Sequence, residues 1–220
     1  REICYRVTFT DDDPGERIEI RNNIIEEPRE EIIFVGISDE VEPVPVSGTL
    51  AYINNQNVWV IRGSSTTKAQ VTFSGDVDGR VFSLSADGRQ LLFSRAIEET
   101  DEDGETSAFN QLYIISDLTT SANTPIPLNI QNVLFAEWRP GYENTFAYSG
   151  AEPSNFTGWD AYNDLWIATV NPDNGDIIDI NQVIEENGGG LYGWYGTNYE
   201  WSRDGERIAY SDHLGRIWVQ

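Results

Sequence analysis

Tyr199–Gln220, YEWSRDGERIAYSDHLGRIWVQ, is the stretch whose reading decides the fold. It passes from Trp201 through a polar turn, Ser202-Arg203-Asp204-Gly205-Glu206, into the alternating run Arg207-Ile208-Ala209-Tyr210-Ser211. A second glycine-containing turn leads to another alternating run, Arg216-Ile217-Trp218-Val219. Asp-Gly between two runs of period two is a strong hairpin signal, because glycine takes positive φ without a Cβ clash. The unit recurs upstream. Leu84-Ser85-Ala86-Asp87-Gly88-Arg89-Gln90-Leu91-Leu92-Phe93-Ser94 has the same spacing, with Leu84 in place of Trp201. The stretch from Trp138 through Pro140-Gly141 to Phe146-Ala147-Tyr148-Ser149 has one extra residue in its turn. Gly48-Thr49-Leu50-Ala51-Tyr52-Ile53 is a degenerate first copy. The repeating unit is a strand meander.

At these residues the chain resembles the TolB-like β-propeller repeats, whose blades carry a W-S-P-D-G-x-x-I-A-F-S pattern. Asn57-Val58-Trp59-Val60, Gln111-Leu112-Tyr113-Ile114, Asp164-Leu165-Trp166-Ile167 and Arg216-Ile217-Trp218-Val219 resemble the third strand of such blades. Gln70-Val71-Thr72-Phe73-Ser74 resembles the outer strand. Ala86 and Arg203 stand where the motif has proline, and Gly141-Tyr142 replaces its Asp-Gly. The resemblance implies an all-β propeller of four-stranded antiparallel blades over residues 46–220, with about four recognisable repeats. Residues 1–45 form a separate β-rich segment, with runs at Cys4–Thr10, Arg17–Arg21 and Glu31–Ile37 around a turn at 11–15. Propellers of this kind serve as binding platforms, assembly modules and filters on enzymes, so the resemblance fixes fold before function.

A blade cannot bury both of its faces alone and needs a neighbour on each side. Tyr52, Phe93, Tyr148 and Tyr210, with Trp59, Tyr113, Trp166 and Trp218, are expected between blades, the three tryptophans largely buried. The first repeat lacks an inner strand before Gly48 and the last lacks an outer strand after Val219. We therefore expect an incomplete ring whose last edge is covered by further sequence, with Glu31–Ile37 the candidate within this chain. A helical turn is the reading for 179–187.

The formal net charge is −23, and Lys68 is the only lysine. Such a surface repels phosphate backbones, which argues against nucleic-acid binding. It leaves cations, basic protein surfaces and neutral glycans as partners, or simple solubility. No run approaches the ~18 apolar residues a spanning helix needs. Cys4 stands alone, so no internal disulfide forms, which suits an extracellular or periplasmic protein. The chain starts at Arg1 and has no methionine, and is read as a processed protein or a piece of a larger one.

Catalytic signals are sparse. His213 is the sole histidine, there is no Gly-x-Ser-x-Gly elbow, and no phosphate-cradling glycine loop precedes Lys68. Carboxylates are abundant, but no spacing singles out an acid/base pair. Calcium is the one ion suggested: Asp76 and Asp78, Asp101 and Asp103, and Asp173 and Asp176 place oxygen ligands on tight turns, as hard cations require. Asx-Gly turns are the plainer reading of the same residues. Two insertions, 96–109 and 150–163, and the loop 188–198 are the candidate binding segments. They carry Trp159, Tyr192, Trp194 and Tyr195, and aromatics on Gly-rich loops suit recognition. The acidic run Glu98–Glu105 is expected to be mobile. The leading expectation is a non-enzymatic exported propeller that binds protein partners or acts as a scaffold. The alternatives are the propeller part of a prolyl-oligopeptidase-type serine peptidase and a glycan-binding propeller.

Overall fold

The computed structural model describes residues 2–10, 13–23, 48–63, 67–100, 104, 106–120, 124–153, 159–186, 197–212 and 214–220. The chain divides into two compact units, Arg1–Glu42 and Pro43–Gln220. The first contains an antiparallel pair, β1 (Glu2–Thr10) and β2 (Asp13–Asn23). Thr10 already pairs with Asp13 and Phe9 with Pro14, so the reversal is tighter than the expected five-residue turn. Register shifts beside Tyr5 and Phe9 absorb the misfit. Glu31–Ile37 lies outside the described residues.

The second unit is a series of antiparallel sheets, each following the last in sequence. Blade one is β3 (Thr49–Asn54), β4 (Asn57–Arg62) and β5 (Lys68–Gln70). Blade two is β6 (Val77–Leu84), β7 (Leu91–Thr100), β8 (Thr106–Ile115) and β9 (Ile126–Gln131). Blade three is β10 (Val133–Trp138), β11 (Thr145–Pro153), β13 (Leu165–Val170) and β14 (Ile177–Ile184), with β12 (Trp159–Ala161) paired to the far end of β11. Blade four is β15 (Tyr199–Trp201), β16 (Ile208–Ser211) and β17 (Ile217–Val219). No helix occurs among the described residues.

The Ser-x-Asp-Gly pattern is a hydrogen-bonding device. Ser85 Oγ donates to Asp87 at 2.6 Å and accepts from Gln90 N at 2.8 Å, while Asp87 accepts from Arg89 N at 3.0 Å. Ser202 and Asp204 repeat the arrangement with Arg207 N and Glu206 N. These side chains satisfy amides that the tight turn leaves unpaired. The turns of blades three and four also interlock. Arg139 Nε donates to Gly205 O at 2.7 Å, and a Cβ on Gly205, at φ +69°, would strike the carbonyl of Pro140.

Each blade-to-blade seam is apolar. Val58, Val60 and Val71 pack with Leu91, Phe93 and Ile115 between blades one and two. Leu92, Leu112, Ile114 and Leu128 pack with Ala136, Trp138 and Phe146 between two and three. Ala147 and Leu165 pack with Tyr199 and Ile208 between three and four. Sheet pairing puts Tyr52 opposite Trp59, Phe93 opposite Tyr113, Tyr148 opposite Trp166 and Tyr210 opposite Trp218. Such directly opposed aromatics are a main unit of sheet stabilisation.

Three expectations need correction. Residues 177–184 are strand, not helix: Ile178 and Ile180 alternate with polar residues, and the run pairs with β13. The outer strand of blade one ends at Gln70 rather than running through Ser74, because Thr72 turns back and its Oγ1 accepts from Val58 N at 2.9 Å. Trp59 and Trp166 are only half-buried and Trp218 is 47% exposed, although all three hold the expected register. The fully buried third-strand side chains are instead their neighbours Val58, Val60 and Leu165, which point to the following blade.

Candidate interaction site

In a four-stranded meander the Asp-Gly turns and the third-to-fourth turns share one end of the sheet. The second-to-third connections and the lead-ins to the next blade share the other. Both insertions, 96–109 and 150–163, join second to third strands, and 188–198 leads from β14 to β15. All three therefore lie at the end opposite the Asp-Gly turns. The acidic insertion is built largely as strand, since β7 runs on to Thr100 and β8 starts at Thr106. The next insertion adds β12, which pairs Ala151 with Ala161 and Glu152 with Asp160.

The two insertions meet. Phe109 from blade two lies 4.4 Å, centroid to centroid, from Trp159 of β12, over Leu134, Ala151 and Ala161. The Arg80 guanidinium sits 5.6 Å from the centre of the Phe109 ring. Beside this cluster a cleft of about 510 Å³ opens between the inner strands, lined by Asp78, Gly79, Arg80, Leu134, Phe135 and Asn198. An aromatic pair, an arginine and a carboxylate around an apolar floor make a surface suited to polypeptide or sugar recognition.

The polar groups beneath the cleft are held firmly. Asp78 accepts from Ser94 Oγ, from Asn110 Nδ2 at 3.2 Å and from Arg80 N at 2.9 Å. Asn110 also clasps the start of the next blade, accepting from Val133 N at 2.8 Å and donating to Val133 O at 3.0 Å. In blade three Ser149 donates to Asp164 at 3.0 Å and accepts from Thr197 N at 3.1 Å, which fixes the lead-in to blade four. Burial, with the Asp164 charge nearby, pushes the Tyr148 hydroxyl up to about 12. Burial and the Glu152, Glu186 and Asp164 carboxylates likewise raise Tyr162. Both remain neutral phenols at neutral pH.

Asp76 lies at the same end. Burial opposes its charge, but Arg95 Nε at 2.7 Å and Ser74 outweigh that and hold the carboxyl below its usual range. Asp173 and Asp176 sit at the opposite end, in the turn between β13 and β14, in bonds with Asn171 and Asn174. That turn packs on blade two, where a Cβ on Gly175 would come within 2.5 Å of Pro127 O. Among the described residues, no three His, Cys, Asp or Glu side chains gather as a metal site requires. Asp101 and Asp103, and Tyr192, Trp194 and Tyr195, lie outside the described residues. Trp159 is brought into the site. Arg80 and Asn198 carried no motif signal, and Phe109 could be found only through its place in an insertion.

No family model matches this chain. No curated protein matches it either. Solved structures do resemble it. Dipeptidyl peptidase 4 of Porphyromonas gingivalis superposes with a TM-score of 0.50 at 14% identity, over 80% of this chain and 30% of the peptidase. The periplasmic gluconolactonase of Pseudomonas aeruginosa gives 0.42 at 10% identity, over 74% of this chain and 45% of the other. An apocarotenoid oxygenase of Synechocystis gives 0.39 at 9% identity, over 74% and 43%. This chain thus spans under half the length of each. The fold is of the β-propeller class, built from stacked antiparallel blades. No helix among the described residues is long and apolar enough to cross a membrane.

Proposed function

We propose that this chain is a non-enzymatic, exported β-propeller of the TolB-like kind that binds a protein partner at the insertion-bearing end of its blades. One observation carries the reading: insertions from two adjacent blades converge as the Phe109–Trp159 pair, under Arg80 and beside the cleft between the inner strands. The carboxylates nearest the cleft fit a binding role better than an acid/base role. Asp78 and Asp164 each accept several hydrogen bonds from fixed donors, which leaves little capacity for proton transfer. The formal charge of −23 selects a partner with a neutral or basic contact surface.

Selection from a displayed peptide library, run beside a glycan array, tests this. Peptide ligands should be recovered, and Trp159→Ala should weaken them roughly tenfold or more, as loss of an aromatic anchor does. Glycan binding without peptide binding would overturn the protein-partner reading. Labelling of a serine in the chain by a fluorophosphonate probe would overturn the non-enzymatic one. The similarity in fold to a dipeptidyl peptidase favours a second reading, a propeller that serves a hydrolase domain. A Gly-x-Ser-x-Gly segment in the same reading frame would decide for it.

A further inference from the structure

The blades supply their own control for what a covered face looks like. Second- and third-strand positions on the face toward the following blade correspond as Ala51, Val58 and Val60 in blade one, and as Leu92, Leu112 and Ile114 in blade two. In blade three they are Ala147, Leu165 and Ile167, and in blade four Ala209, Ile217 and Val219. Val58, Val60, Leu92, Leu112, Ile114, Ala147 and Leu165 are all fully buried. Ile217 is 79% exposed and Val219 66%. Sequence chemistry is the same across the series; only the cover differs.

A polar group on this face agrees. Ser149 and Ser211 occupy the same place at the end of the second strand, opposite Trp166-side and Ile217-side residues of the third. Ser149 Oγ accepts the amide of Thr197, the residue that leads into blade four. Ser211 Oγ is shut away from solvent and has no hydrogen-bond partner. A hydroxyl in that state costs free energy until a donor or acceptor reaches it. An apolar pair out of place on a surface and an orphaned hydroxyl thus mark one face.

We propose that the face of blade four bearing Ala209, Ser211, Ile217 and Val219 is a docking surface for a further blade of the same repeat, joined in tandem. The lead-in of that blade donates an amide to Ser211 Oγ, as Thr197 does to Ser149. Its first and second strands cover Ile217 and Val219 as Tyr199 and Ile208 cover the equivalent face of blade three. Blade three also shows the polar clasp that accompanies such a seam, with Tyr199 Oη donating to Ala147 O at 2.6 Å. A second copy of the chain is the poorer occupant, because each copy brings a formal charge of −23 and like charges oppose association. This surface is independent of the insertion-bearing end and of what binds there.

The test is a chain in which residues 171–220 are repeated after Gln220, so that the original face is followed by a blade with its own lead-in. Hydrogen exchange read by mass spectrometry over 208–219 reports the outcome. The slowest amides there should gain roughly tenfold protection or more over the 220-residue chain, because they pass from an open face to a packed seam. Ile217→Asp in the original copy should remove the gain. Equal exchange in the two chains overturns the proposal. So does a dimer of the unaltered chain at micromolar concentration that Ile217→Asp returns to monomer, which assigns the face to a second copy. Two single variants of the 220-residue chain settle the matter should the longer chain misfold. Leu165→Thr should lower the melting midpoint by several degrees and Ile217→Thr by under about 1 °C, as expected for a buried and a bare position. Equal losses overturn the proposal, since Ile217 would then be covered within this chain.

Discussion

The two ends of the blades are built on opposite principles. At the Asp-Gly end, turns are short, their serine and aspartate side chains close the backbone hydrogen bonds, and Gly205 presses directly on Pro140. At the other end the connections lengthen into β12 and the extended β7–β8 hairpin, and aromatic groups from two blades meet beside a cleft. One end fixes how blades stack. The other varies what the stack presents, which is the usual division between a rigid scaffold and the connections it carries.

Substituting glycines at the two ends breaks the comparison most severely. Gly205→Ala should cost roughly 2–4 kcal/mol in denaturant unfolding, from a backbone clash and a left-handed φ together. Gly104→Ala also meets a positive φ, but has open space around it, and should cost about 1 kcal/mol. Comparable losses would show that the Asp-Gly end is no tighter than the other.

Titration sharpens the contrast next. Burial, with Glu200 adding repulsion, raises the Glu137 carboxyl at the seam of blades three and four. A raised folded-state value means stability that is present below the ordinary glutamate range and lost as pH rises through the folded value. Asp87, in its turn, is held low by Ser85, then by the Arg89 amide and charge, against a smaller burial cost. Its contribution is present above the ordinary aspartate range and lost as pH falls through the folded value. Unfolding midpoints followed from pH 3 to 7 should therefore show Glu137→Gln flattening the loss toward neutral pH and Asp87→Asn flattening the loss toward acid. The reverse assignment would mean that the seam, not the turn, holds the favourable charge.

The smallest effect on stability belongs to Trp159. It is half-buried on the satellite cluster rather than in a seam, so Trp159→Ala should move the unfolding midpoint less than Phe146→Ala, which empties a fully buried site at roughly 3–5 kcal/mol. Peptide binding should respond in the opposite order. A Trp159→Ala chain that unfolds as early as Phe146→Ala would place Trp159 in the core.

The repeat was legible because its physics is local. Asp87-Gly88 and Asp204-Gly205 announce turns, and the alternations around Phe93, Tyr148 and Tyr210 place the aromatics that pair across strands. Residues 177–184 misled because Asn181, Gln182 and a later acidic pair suit a helix, while the strand is imposed by pairing with β13. Burial of Trp59, Trp166 and Trp218 was overestimated for a related reason. Alternation tells which residues share a face, but only the stacking of blades tells which face is deeper. The site was legible as a set of insertions and not as residues. Arg80 and Asn198 reach the cleft through inner-strand geometry that no spacing rule encodes.

Every sheet pairing in Pro43–Gln220 links strands that are close in sequence, with β12 the sole interruption between partners β11 and β13. For an all-β chain this keeps loop-closure entropy small, and folding rate rises as contacts become more local. A ribosome or a secretion channel delivers such a chain one blade at a time. Each new meander can close its hairpins at once and lay one face on the blade before it, so newly made strand edges are exposed only briefly.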